Sequence, residues 1–219
     1  MSDGSSFDAV ACGVGGQGVV LLSSVVGHAC AELGLSVRTA ETHGLAQRSG
    51  SIYVHLRVGT RVASPLIPRG TARVLVALEA TEALRQLEYL RFGGLALVNR
   101  HVLVPVHETH QLVLNNGEGD RVGVDEALEG LRQWPAEVVD VDANALAAEV
   151  GNPRVANVVM LGALAAVPGF PIPLDELGKA VGRVVPRKSL EANLRALQLG
   201  NAAAADRVGQ LDWKKQGEK

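Results

Sequence analysis

The chain runs to 219 residues and carries 21 Lys+Arg against 23 Asp+Glu, a formal net charge of −2. Its 47% hydrophobic and 20% charged residues exclude wholesale disorder, and the length is ample for one large domain with a real core. Near-neutral charge and 3% aromatic residues argue against a nucleic-acid binder, and no apolar run is long enough to span a bilayer.

The opening Met1-Ser2-Asp3-Gly4-Ser5-Ser6 lacks the basic and apolar parts of a signal peptide, so a cytoplasmic protein without membrane attachment is expected. Phe7 to Cys12 is a short apolar run that stops at Gly13-Val14-Gly15-Gly16-Gln17-Gly18. Val19 to Leu33 then reads as a buried helix closed by Gly34, and Leu35 to Ala40 as a second strand ending at Glu41. Ser51 to Val58 alternates, with Ile52, Val54, Leu56 and Val58 on one face and Tyr53, His55 and Arg57 on the other. Such alternation predicts a sheet edge or an antiparallel partner.

Arg73 to Leu78 reads as a buried strand ending at Glu79, followed by a helix over 81–90 and a strand from Leu95 to Val98 that ends at Asn99. Val102 to Val106 and Gln111 to Leu114 are short candidate strands. Asp125 to Arg132 predicts a helix, Glu137 to Val141 a strand ending near Asp142, and Ala143 to Val150 a helix. Asn152-Pro153 is an N-cap followed by Pro at the first helical position, opening a helix to about Val167. A helix over 174–181 follows, and a last one is capped by Ser189 and stopped by Gly200. The expected fold class is α/β: a Rossmann-like, mostly parallel sheet with flanking helices and a helical C-terminal segment. One domain accounts for residues 1–219, with 201–219 read as a flexible tail.

Gly13-Val14-Gly15-Gly16-Gln17-Gly18 fits G-x-G-x-x-G between a strand and a helix. Glycines let a ligand approach the main chain, and the helix N-terminus beyond offers unpaired N–H donors to an anion. Glu41, at the end of the next strand, would complete a dinucleotide fingerprint. The glycines could equally serve close helix–sheet packing, and the spacing leaves both roles open. His43 follows Glu41 beyond a strand end, where α/β sheets bind ligands, and is the one candidate acid or base. His28, within a helix, is expected in the core or an interface.

Between Thr42 and Leu78 there is no Asp, Glu or Lys, yet Arg48, Arg57, Arg61, Arg69 and Arg73 are present. Arginine without local counter-charge suggests an anionic partner, Arg48 above all, or pairing with acids distant in sequence. Glu79, Asn99 and Asp142 each end an apolar strand and would share a rim with the glycine loop if those strands are parallel. Asn157 and Asn193 lie on apolar helical stripes, where an unpaired amide costs about 1–3 kcal/mol, so each is expected to satisfy a backbone or partner group. Cys12 and Cys30 are too few for an iron–sulfur cluster and read as packing residues. No histidine shows metal spacing, so no metal site is expected.

Gly13-x-Gly-Gly-Gln-Gly18, Glu41-Thr-His-Gly-Leu-Ala-Gln-Arg-Ser-Gly-Ser51 and Val54-His-Leu-Arg-Val58 together resemble the gamma-type domain of 2-oxoacid:ferredoxin oxidoreductases. More narrowly, the chain is similar to the beta subunits of indolepyruvate ferredoxin oxidoreductases. The resemblance continues through Ser64-Pro65, Pro68-Arg-Gly70, Leu78-Glu-Ala-Thr-Glu-Ala-Leu84, Asn99, Asn157, Leu161-Gly-Ala-Leu164, Asn193 and Gly200, covering residues 7–200. Ser49 departs from it, standing where relatives often have the first glycine of a pair.

The resemblance implies oxidative decarboxylation of a 2-oxoacid on thiamine diphosphate, electron transfer through iron–sulfur clusters to ferredoxin, and release of an acyl-coenzyme A. Gly119-Asp120-Arg121 does not match a thiamine-diphosphate motif. Both cofactors are therefore expected in a larger alpha-type partner subunit, in a hetero-oligomer with two copies of each chain. Within it the resemblance implies contact with coenzyme A, and the candidate residues are Gly13, Gly15, Gly16, Gln17, Gly18, Glu41, His43, Gln47 and Arg48. Two other readings stand beside it: a stand-alone NAD-dependent oxidoreductase with Glu41 on the ribose, and a purely structural subunit.

Overall fold

In the computed structural model, which describes residues 6–44, 50–103 and 122–211, the apolar opening run forms β1 (Phe7–Val14) and the next apolar stretch α1 (Val19–Leu33). There follow β2 (Ser36–His43), β3 (Ser51–Gly59), β4 (Ala72–Ala77), α2 (Ala80–Arg85) and β5 (Leu90–Asn99). After them come α3 (Val124–Arg132), β6 (Glu137–Val141), α4 (Ala143–Glu149), α5 (Ala156–Ala165), α6 (Leu174–Val184) and α7 (Leu190–Gly209). The six strands form one sheet in the order β2-β3-β1-β4-β5-β6. β1, β4, β5 and β6 are mutually parallel, whereas β3 is antiparallel to both β1 and β2. Five strands thus run one way and β3 alone runs against them, the expected α/β, mostly parallel sheet. The alternation of β3 reflects its two antiparallel neighbours.

Alternation along the strands splits the core in two. Ala9, Ala11, Val54, Leu56, Val74, Val76, Leu95, Leu97, Val139 and Val141 face α1, α4, α5, α6 and α7. Val10, Cys12, Leu75, Ala77, Ala96 and Val98 face α2 and α3. Helices on both faces explain why the parallel strands read as unbroken apolar runs.

Several expectations are corrected. The helix expected over 81–90 ends at Arg85 and passes through a 3₁₀ turn (Leu87–Tyr89) into β5, which begins at Leu90 rather than Leu95. A bulge displaces the register between Ala72↔Leu90 and Val74↔Leu95, so Gly93 and Gly94 conceal the strand start. The Asn152-Pro153 start is a 3₁₀ turn (Pro153–Val155) that leads into α5, with the Asn152 side chain accepting from the Arg154 amide at 3.2 Å. Ser189 does not cap α7, and its hydroxyl donates to Pro186 O at 2.9 Å. Nor does Gly200 stop that helix. It lies mid-helix against α5, where a Cβ would overlap Val159 O and stand 2.9 Å from Val159 Cα. Gly162 does the same in return, since a Cβ there would overlap Leu197 O and come within 2.9 Å of Asn201 N. Residues 201–209, expected as tail, continue the helix and bury Ala204 and Val208. His28 is exposed rather than buried. Val102 and Leu103 form no strand, and residues 104–106 and the Gln111–Leu114 candidate lie outside the described residues.

Candidate functional site

The parallel strands β1, β4, β5 and β6 end on one rim, and there the glycine turn, Glu79, Asn99 and Asp142 assemble as their sequence positions predicted. Gln17 shapes the turn: its Oε1 accepts from the Val14 amide at 2.8 Å and its Nε2 donates to Leu78 O at 3.4 Å. Gly13 leaves room for that amide, because a Cβ there would stand 2.7 Å from Gln17 Oε1. Gly16 (φ 95°) and Gly18 (φ 83°) take left-handed conformations that favour glycine. Gly18 also carries a packing role, with its carbonyl accepting from Asn157 Nδ2 at 3.3 Å and a Cβ there overlapping the same side chain. Both expected roles of the glycines therefore occur in one loop.

The main-chain donors divide sharply. The Gly15 amide donates to Gly50 O at 2.9 Å and the Gln17 amide to Val14 O at 3.1 Å, so neither is open to a ligand. Among the described residues the amides of Gly16 and Gly18 have no acceptor. Gly16 is exposed, no atom lies within 4 Å of where its Cβ would be, and α1 begins just beyond with its positive dipole end.

Glu41 and His43 stand apart from this loop. The register places Glu41 beside Val54, which pairs with Ala11, so β3 separates the acid-bearing strand from β1 by two strand spacings, about 10 Å. A dinucleotide fingerprint needs those strands to be neighbours, and that geometry is not formed. Glu41 and His43 are both exposed, their side chains 3.6 Å apart. Gln47 and Arg48 lie outside the described residues.

The arginine-rich segment pairs largely with distant acids. Arg57 binds Asp8 through two hydrogen bonds of 3.0 and 2.9 Å and also donates to Ser64 O and Leu66 O. Arg69 meets Glu88 at 3.1 Å. Arg73 donates to Pro168 O at 3.0 Å and lies 5.5 Å from the centre of the Phe7 ring. Arg61 is exposed. The bland reading of Arg57 and Arg69 is the correct one.

Two buried carboxylates dominate the rim on the α2 side. Glu79 caps α2, its Oε2 accepting from the Glu82 amide and Thr81 Oγ1, each at 2.7 Å, and its Oε1 from the Leu103 amide at 3.1 Å. Glu82 Oε2 accepts from Ser51 Oγ at 2.5 Å. Burial raises the Glu82 carboxyl, against the lowering effect of the Ser51 hydrogen bond and of Arg85. Asn99 is fully engaged, donating to Leu78 O and Asn144 Oδ1 and accepting from the Ala143 amide. Asn157 and Asn193 satisfy backbone groups, as expected.

Sequence reasoning missed Glu82, Ser51 and His55. The only signal for Glu82 was its place three residues after an N-cap acid, the spacing of a capping box. Instead of reaching back to the cap, its side chain crosses to another strand. His55 is buried between Tyr53 and Tyr89, and its Nδ1 accepts from the Ile67 amide at 3.3 Å. Burial, with Arg57 nearby, lowers its pKa.

A sequence profile of the pyruvate ferredoxin/flavodoxin oxidoreductase family matches residues 8–203. The chain belongs to that family. This family member is 34% identical over 204 residues to the indolepyruvate oxidoreductase subunit IorB of Thermococcus kodakarensis, covering 93% of this chain and 98% of that protein. It is 37% identical over 191 residues to the subunit of the same name from Archaeoglobus fulgidus, covering 87% and 92%. Its fold matches the gamma subunit of a keto/oxoacid ferredoxin oxidoreductase from Geobacter sulfurreducens, with a TM-score of 0.67 at 22% identity, over 91% of this chain and 99% of that one.

Family members of this kind work with thiamine diphosphate and iron–sulfur clusters, and the residues described here do not fit a cluster. Cys12 packs on the α2 side of the sheet and Cys30 on the α1 side, so the two thiols cannot share a ligand set. Burial, with Glu82 and Glu79 adding, pushes the Cys12 thiol far up, and burial pushes Cys30 up to about 11. Both are inert packing groups. Gly119-Asp120-Arg121 lies outside the described residues.

Proposed function

We propose that this chain is the small, cluster-free subunit of a 2-oxoacid:ferredoxin oxidoreductase of the indolepyruvate type. A larger subunit holds thiamine diphosphate and the iron–sulfur clusters, which supply the decarboxylation and electron-transfer chemistry when bound. The chain completes the active-site cavity and contacts coenzyme A, so catalysis belongs to the complex. The observation that carries this reading is the pair of unspent amides, Gly16 and Gly18, aimed outward at the α1 N-terminus. Such donors suit a phosphate or carboxylate and need no side-chain charge. Arg48, which follows the described part of β2 by a few residues, supplies the cationic side chain of the same site.

The test is kinetic, on the reconstituted complex. Gly16→Ala forces a Cβ onto a left-handed residue and disturbs both amides, and Arg48→Ala removes the cation. Each is expected to raise the apparent KM for coenzyme A while the two subunits still assemble. An unchanged KM with normal assembly overturns the coenzyme A assignment and leaves the purely structural subunit. Titrating the isolated chain with NADH tests the dehydrogenase reading, which the interposed β3 disfavours. Micromolar binding there would revive it.

A further inference from the structure

The peptide run from Leu78 to Glu82 touches the glycine turn from both ends. At one end Leu78 O accepts from Gln17 Nε2, and Gln17 in turn holds the Val14 amide. At the other end Glu82 accepts from Ser51 Oγ. Ser51 is the first residue of β3 and pairs with Val14, the last residue of β1. Its carbonyl accepts from the Gly44 amide at 2.8 Å, and the carbonyl of the preceding Gly50 accepts from the Gly15 amide. Gly16 therefore sits between Gly15 and Gln17, each tied back to the same five-residue run by a different route.

We propose that Glu82 is a positioning residue for the glycine turn: through Ser51 and Gly50 it fixes Gly15, and so the direction of the neighbouring Gly16 amide. The inference rests on the reading that this amide contacts coenzyme A. A carboxyl group whose side chain is 4% exposed is costly to keep where an apolar residue would pack, and its partner Arg85 is 3.5 Å away and largely in solvent. Stability alone does not call for an acid here. A fixed acceptor for the Ser51 hydroxyl does. Glu79 anchors the same run from beneath, through Thr81 Oγ1 and the Glu82 and Leu103 amides, so Glu82 acts from a rigid base.

The experiment uses the reconstituted complex with Glu82→Ala, Glu82→Gln, Ser51→Ala and Gly16→Ala. Loss of the Ser51–Glu82 bond should raise the KM for coenzyme A about tenfold and leave kcat within about twofold, because one oriented contact is lost and the chemistry is not. Glu82→Gln keeps an acceptor and should restore KM to within about threefold of the parent. Combining Glu82→Ala with Ser51→Ala should be no worse than either alone. Equal loss in kcat and KM, or a Gln variant as impaired as the Ala variant, overturns the inference. If Glu82→Ala does not fold, Ser51→Ala decides, and an unchanged KM there overturns it. The two levels separate cleanly. A Gly16→Ala complex with normal KM removes the coenzyme A reading, whereas raised KM in Gly16→Ala with none in Ser51→Ala and Glu82→Ala removes only the role of Glu82.

Discussion

Gly200→Ala should destabilise the protein although it improves a helix. By intrinsic propensity, alanine gains about 1 kcal/mol over glycine in a helix interior. In α7, however, the new Cβ would overlap Val159 O and lie 2.9 Å from Val159 Cα, so α5 and α7 must part by at least about 0.5 Å to reach an ordinary 3.4 Å contact. A gap of that order forfeits about a quarter of the dispersion well for each apposed atom pair. The clash is with backbone, which cannot swing aside. Overpacking of this kind costs about 2–4 kcal/mol, leaving a net loss of about 1–3 kcal/mol and a Tm lower by about 3–10 °C. Gly178→Ala in α6 is the matched control, since its Cβ would meet Leu194 Cδ2 at an ordinary 3.5 Å and it should gain up to about 1 kcal/mol. Urea titrations and thermal scans of both variants measure the difference. A Gly200→Ala protein as stable as the parent would refute the close-contact account of this helix pair.

The remaining predictions concern ionisable groups. Burial would raise the Asp140 carboxyl, but hydrogen bonds from Arg207 and Arg100 prevail and hold it below the usual range. Because the folded pKa is depressed, its contribution is present above about pH 4 and fades as pH falls through the folded value. Asp140→Asn should cost about 1–3 kcal/mol at pH 7 and flatten the acid limb of a pH series of urea titrations. His55 also has a folded pKa below that of the unfolded chain, since burial and Arg57 disfavour its cation. Its contribution is therefore full above about pH 6.5 and declines as pH drops toward the folded value, a slope that His55→Phe should remove. An NMR titration in which His55 protonates at or above 6.5 would contradict this. Finally, neither Cys12 nor Cys30 should react with a thiol reagent in the native protein, and both should react in guanidinium.

Much of the architecture was legible because local pattern and tertiary position agree. The run Glu137–Val141 lies between helical stretches and is a parallel strand over those very residues. The rim residues Glu79, Asn99 and Asp142 followed from strand ends alone. What was hidden was non-local. The place of β3 between β2 and β1 leaves no mark on the residues of β2, so Glu41 looked like a ribose acid. Gly200 carries the local signature of a helix stop, while its true constraint is a backbone 41 residues earlier in the chain. Arg57 has no acid near it in sequence because its partner, Asp8, lies on the opposed position of the next strand. Glu82 looked like a solvated helix position, and only the β3 hydroxyl reveals it.

The α5–α7 contact has a bearing on how the polypeptide matures at the ribosome. Strands β1, β4, β5 and β6 can pair once residue 141 has emerged, yet the layer that shields Val139, Val141 and their neighbours needs α7, and the Arg207 side chain returns to Asp140 near the far end of that helix. Translation proceeds at about 5–20 residues per second, so the greasy underside of a nearly finished sheet stays uncovered for several seconds. During that interval a chaperone or the companion polypeptide has its best opportunity to capture the nascent chain.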